Sequence, residues 1–187
     1  MTSGSGPPLR SKFIGPRLTI SCHNVMGDKT SLRQGAVAYY YHLKVTNSRS
    51  FVPARNCRVM LKQLHRRGPD SQFQPEILVV PLQYAWAPSE WAPVLQTVAG
   101  EAVFDFGRIV QSSNFQPTLY TTSTNFRGFV NANEAVRFSL QVIADNYVSP
   151  RMQVFEVAWN GKWADTREEM QQNVVIKEVE ATNRGSE

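Results

Sequence analysis

The sequence predicts an all-β chain, an antiparallel β-sandwich with one short C-terminal helix, and three observations carry that prediction. Long segments alternate apolar and polar residues with a period of two. Turn-forming residues punctuate them at short intervals. Helical signals occur in one stretch only, close to the C-terminus.

The alternation is clearest in four segments. Between Ala38 and Asn47, Tyr39, Tyr41, Leu43 and Val45 fall on one face, and Tyr40, His42, Lys44 and Thr46 on the other. Between Asn56 and Leu64, Cys57, Val59 and Leu61 alternate with Arg58, Met60 and Lys62. Val136, Phe138, Leu140 and Val142 do the same between Glu134 and Ala144, and Phe155, Val157 and Trp159 share a face after Met152. Successive strand side chains point to opposite faces, so each set predicts a strand with one buried side. Shorter strands are expected at Leu18–Cys22, Glu76–Val80, Ala102–Ile109 and Thr118–Thr122.

Turns are expected at Asn47–Ser50, Arg67–Asp70 and Asn146–Pro150. Asn160-Gly161 is the strongest hairpin signal, because both residue types tolerate positive φ, and predicts a tight reversal after Trp159. Asp165 reads as an N-cap with Glu168 three positions on, as in a capping box, so a short helix starts there. Val174–Val179 follows as a final strand. The stretch 83–100, QYAWAPSEWAPVLQTVAG, has no periodicity and reads as a long ordered loop. Residues 110–116 and 125–133 are also irregular.

At 187 residues, the length fits one domain: a flexible leader at 1–15, the sandwich at 16–180 and a flexible tail at 181–187. The net charge of +5 is uneven, because the last 23 residues hold 3 Lys and Arg against 6 Asp and Glu. Cys57 reads as a buried thiol; a bridge to Cys22 is the alternative. No apolar run reaches the roughly 20 residues a membrane helix needs, and no signal-peptide core is present, so a soluble cytoplasmic protein is expected.

The residues argue against an enzyme. The three histidines, His23, His42 and His65, stand in no recognised nucleophile context, and no Gly-x-Ser-x-Gly elbow occurs. No Cys-x-x-Cys, His-Glu-x-x-His or acidic calcium loop is present, and no glycine-rich phosphate loop precedes a helix. No catalytic residue, metal or cofactor is expected.

Three segments carry a resemblance. They are YYYHLKVTNSRSFVPARNCRVMLKQL, the Trp86 segment followed by Phe-Asp-Phe-Gly, and FEVAWNGKWADTREEMQQNVVIKEV. Together, over residues 36–180, they resemble a group of poorly characterised bacterial β-sandwich domains similar to immunoglobulin-like or fibronectin-like modules. The resemblance implies an immunoglobulin-like sandwich and brings no catalytic residues with it.

The expected function is a non-catalytic interaction module that binds a protein partner, or its own copy, through aromatic loops. Its contact residues would be Glu90, Trp91, Phe115, Tyr120, Phe126, Arg127 and Phe129. Trp86 reads as core, in step with Leu82 and Tyr84. A carbohydrate or other small-ligand module using the Trp-rich loop is the second reading. The third is nucleic-acid binding by Arg58, Lys62 and Arg66, whose even spacing places them on one strand face, with Tyr40 and His42 on an adjacent strand.

Overall fold

A computed structural model describes residues 15–32 and 35–180 of the chain. The expected leader, apart from Gly15, and the expected tail lie outside the described residues. The strands are β1 (Leu18–Ser31), β2 (Val37–Asn47), β3 (Ala54–Arg67), β4 (Phe73–Glu76), β5 (Leu82–Gln83), β6 (Gln96–Val98), β7 (Glu101–Val110), β8 (Phe115–Pro117), β9 (Glu134–Ala144), β10 (Tyr147–Val148) and β11 (Gln153–Trp159). The helix α1 (Arg167–Asn173) and the strand β12 (Val174–Val179) complete the order.

Among the described residues all pairings are antiparallel, and they form an all-β sandwich with one short helix. The small sheet runs β1-β2-β7-β8. The large sheet runs β12-β11-β9-β3-β4, with β5 and β6 also on β3 and β10 on β9. Among the described residues, no helix is long and apolar enough to cross a membrane.

The core is where the period-two pattern placed it. Tyr39, Tyr41, Leu43 and Val45 of β2 are fully buried, as are Cys57 and Leu61 of β3 and Val136, Phe138 and Leu140 of β9. An aromatic cluster locks the sheets together. Phe106 of β7 packs against Phe138 and Phe155 of the large sheet, with ring centroids 5.4 and 6.1 Å apart, and against Tyr84 and Phe115. Both cysteines are free thiols. Burial pushes the Cys57 thiol up to about 11 and raises Cys22 as well, so neither is poised as a nucleophile.

Two polar side chains stitch the layers. Asn47, buried at the end of β2, donates from its amide to the Val52 and Val98 carbonyls and accepts from the Arg17 and Arg49 amides. That fills the capacity of a carboxamide and holds the turn after β2 against β6. Gln153 of β11 accepts from the Ile20 amide and donates to the Ile20 carbonyl, both at 2.6 Å. Its side chain thus acts as a peptide group across the gap between β11 and β1, which lie in different sheets.

Several boundaries differ from the sequence reading. β1 extends to Ser31 because two bulges carry it past the loop residues after Cys22. β4 precedes the apolar run Ile77-Leu78-Val79-Val80, which pairs with nothing, so the Glu76–Val80 strand is displaced to Phe73–Glu76. The expected Thr118–Thr122 strand lies instead at Phe115–Pro117. Gly161 has φ +84 but Asn160 does not share the left-handed region, so Asn160-Gly161 is no two-residue hairpin. It opens the connection carrying α1, after which β12 returns to pair with β11. The N-cap is Thr166 rather than Asp165, its hydroxyl accepting from the Glu169 amide at 3.4 Å.

Candidate functional site

The outer face of the small sheet is hollowed into a groove of about 780 Å³. Its floor is β2 and β7, one wall is the bulged part of β1, and its roof is the turn from Ala87 to Trp91. Bulges in the pairing create it. Between β2 and β7 the register shifts at Tyr41/His42, so that Tyr41 faces Gly107 and His42 faces Asp105, with Phe106 as the extra residue. Phe106 goes into the core and Asp105 goes outward, beside His42. Along β1 the register shifts on both sides of Asn24, bringing Asp28 opposite Tyr40. Gly27 allows this second bulge. Its φ is +81, and a Cβ there would lie 3.0 Å from the Tyr41 ring.

The result is a string of ionisable groups in close contact. His42 Nδ1 lies 2.9 Å from Asp105 Oδ1, off the hydrogen-bonding direction, so that approach is an electrostatic contact. His42 Nε2 lies 3.4 Å from Asp28 Oδ2. The other Asp28 oxygen accepts from Arg167 of α1 at 2.9 Å. Beside this string, Arg108 donates to the Tyr40 hydroxyl at 2.8 Å and sits over the Tyr40 ring. A nucleophile–base pair needs one ring nitrogen facing a hydroxyl or thiol. Here both His42 nitrogens face carboxylates. No group of three or more His, Cys, Asp or Glu side chains among the described residues is placed to hold a metal ion.

The roof is fixed by backbone bonds. The Ser89 amide donates to Asp105 Oδ2, and the Ala87 amide to the Val103 carbonyl, each at 3.0 Å. The Trp91 and Ala92 amides close a turn onto the Pro88 carbonyl. The two tryptophans of this segment have opposite fates. Trp86 is core, with its indole N–H donating to the Cys57 carbonyl at 3.3 Å. Trp91 is 80% exposed at the groove rim.

The residues read from the sequence as partner contacts divide. Trp91 and Glu90 are exposed on the roof. Tyr120 is half-buried, with its hydroxyl donating to the Pro93 carbonyl. Phe115 is fully buried and Phe126 nearly so, which removes both from any contact surface. The apolar content of that loop builds core instead. Phe129 is half-buried and packs edge-on against Phe126, while Arg127 is exposed.

The basic stripe does not form. A bulge at Lys62 shifts the β3 register between Leu61 and Gln63. Beyond it the alternation inverts, so Leu64 is buried on the same side as Leu61. Arg66 therefore turns to the face opposite Arg58 and Lys62. Its guanidinium is occupied there, bonding to Glu76 at 2.9 Å, to Glu134, and to the carbonyls of Arg127 and Phe129. Tyr40 and His42 also lie away from that stripe, because β2 and β3 belong to different sheets.

His42, Asp28, Asp105 and Arg108 were not singled out as a site from the sequence. The outward direction of His42 was legible in the β2 alternation. Its two carboxylate partners depend on bulges, which alternation alone does not locate. No protein-family model, no curated protein and no solved structure matches the chain.

Proposed function

We propose that this chain is a non-catalytic interaction module, a sandwich of the immunoglobulin-like kind, whose apolar surface docks a protein, in the first instance a second copy of itself. The observation that carries this reading is the segment Ile77-Leu78-Val79-Val80. It follows β4 directly, pairs with no strand, and leaves Ile77 and Val79 almost four-fifths exposed. Val94 and Leu95 are also exposed, and Gln83 and Tyr120 tie their loop down through the Val94 and Pro93 carbonyls. Leu78 packs against the core while Ile77, Val79 and Val80 face solvent, and clustered exposed apolar residues are costly in water unless something covers them. The segment also continues from an edge strand, whose free backbone groups can accept another strand.

The test is molar mass by light scattering over a range of protein concentrations, for the parent and for Val79→Asp. Mass that rises with concentration in the parent, and stays at one chain in the variant, is the expected result. A parent that remains a single chain at every concentration sinks the self-docking reading.

A further inference from the structure

We infer that the groove beneath Trp91 is a binding site for an uncharged, polyhydroxylated ligand, that is, a saccharide. This site lies on the small sheet and stands independently of the docking surface proposed above. Three observations lead to that ligand class.

The first is shape. A groove of about 780 Å³ is within the range of small-ligand sites, roughly 300–1,000 Å³, and is open along one side, as a chain-like ligand requires.

The second is that the ionisable groups of the groove already have partners. Asp105 and Asp28 bracket His42, Asp28 is also paired with Arg167, and Arg108 is engaged with Tyr40. Asp28, Asp105 and Arg108 thus already hold partners, Arg108 through the uncharged Tyr40 hydroxyl, and an ionic ligand would have to displace them. A neutral ligand would not. The paired groups still offer hydrogen-bonding capacity, since a carboxylate accepts about four bonds and a guanidinium donates five. Asp28 is half exposed, and the side chain of Asn24 also lines the wall. Fixed donors and acceptors at close spacing are what a ring of hydroxyl groups needs.

The third is the platform. An indole face carries negative partial charge, and the C–H face of a sugar ring carries the positive counterpart. Trp91 offers such a surface at the rim, on a turn fixed by the Trp91 amide and by the Ser89–Asp105 bond. Because the turn is already ordered, little freedom is lost when a ligand stacks on it.

The test begins with a glycan array carrying neutral and acidic saccharides, followed by amide chemical-shift titration with the uncharged hexamers of glucose, xylose, mannose and N-acetylglucosamine and with an oligogalacturonate. At least one neutral hexamer should shift amides of β2, β7 and the Ala87–Trp91 turn. Trp91→Ala should weaken that binding at least about tenfold with thermal melting unchanged, and Asn24→Ala, which also removes the acceptor of the Met26 amide, should weaken it several-fold. Val79→Asp should leave it intact, which separates this site from the docking surface. The inference is overturned by silence across the array and all four hexamers at millimolar concentration, by binding that survives Trp91→Ala, or by preference for the acidic oligomer.

Discussion

On the outer face of the large sheet, His65, Arg137, Glu156 and Lys177 stand in one row across β3, β9, β11 and β12. Glu156 bonds Arg137 at 2.9 Å and lies 3.3 Å from Lys177, and the Arg137 guanidinium covers the Phe73 ring at 3.7 Å. On the outer face of the small sheet, Asp28, His42, Asp105 and Arg108 gather under a roof and border a groove. Both faces carry acids, bases and an aromatic. In the row each side chain stands directly opposite the next, and the pairing of β9 with β11 and of β11 with β12 runs without a shift. In the groove, shifts in the β1–β2 and β2–β7 registers leave His42 opposite Asp105 and diagonal to Asp28, under the roof of the Ala87–Trp91 turn. Register thus decides whether similar residues make a wall or a pocket.

The largest effect is expected at the bulge itself. Phe106→Ala removes the ring that joins both sheets and should cost about 3–5 kcal/mol in chemical denaturation. It should also speed hydrogen exchange at Ser89, since the same bulge positions Asp105. A loss of stability with unchanged exchange at Ser89 would separate the core from the groove and break the comparison. Next is the β3 bulge. Arg66→Ala leaves two carboxylates and two carbonyls without their cation and should cost about 3 kcal/mol. Arg58→Ala and Lys62→Ala, on the other face, should stay within about 0.5 kcal/mol. Equal costs for all three would mean that the bulge does not invert the strand.

Smaller effects sharpen the large-sheet side. Glu156→Gln keeps the shape but weakens both pairings, and should cost about 1–2 kcal/mol, less at high salt. The smallest is a pH slope. Burial, and secondarily Arg137, hold His65 below its ordinary value of 6.5. The unfolded chain then takes up the proton first, so stability is complete above pH 6.5 and declines as pH falls beneath it. His65→Gln should flatten thermal melting over that interval.

The strand faces were legible because burial follows alternation residue by residue: Tyr39, Tyr41, Cys57, Val59 and Phe138 all lie inside, as read. Trp86 was legible for the same reason. Alternation failed after Lys62, where one extra residue inverts every later side chain and turns a basic stripe into the Arg66 clamp. It also gave no access to the groove, because no local pattern states that Asp28, His42 and Asp105 become neighbours. Phe115 and Phe126 were read as contacts and lie in the core, because composition alone does not decide between burying such rings and presenting them. The Asn160-Gly161 signal marked a real reversal, and the strand that follows it is delayed by the helix.

The bond between Gln153 and Ile20 has a consequence in time rather than in space. β1 is made first and can pair with β2 at once, yet the group that covers its outer backbone at Ile20 is made more than 130 residues later. At synthesis rates of about 5–20 residues per second, that leaves several seconds or more in which Ile20 offers a free amide and a free carbonyl to any passing strand. In a nascent chain this edge of β1 therefore stays open to mispairing until β11 has been made.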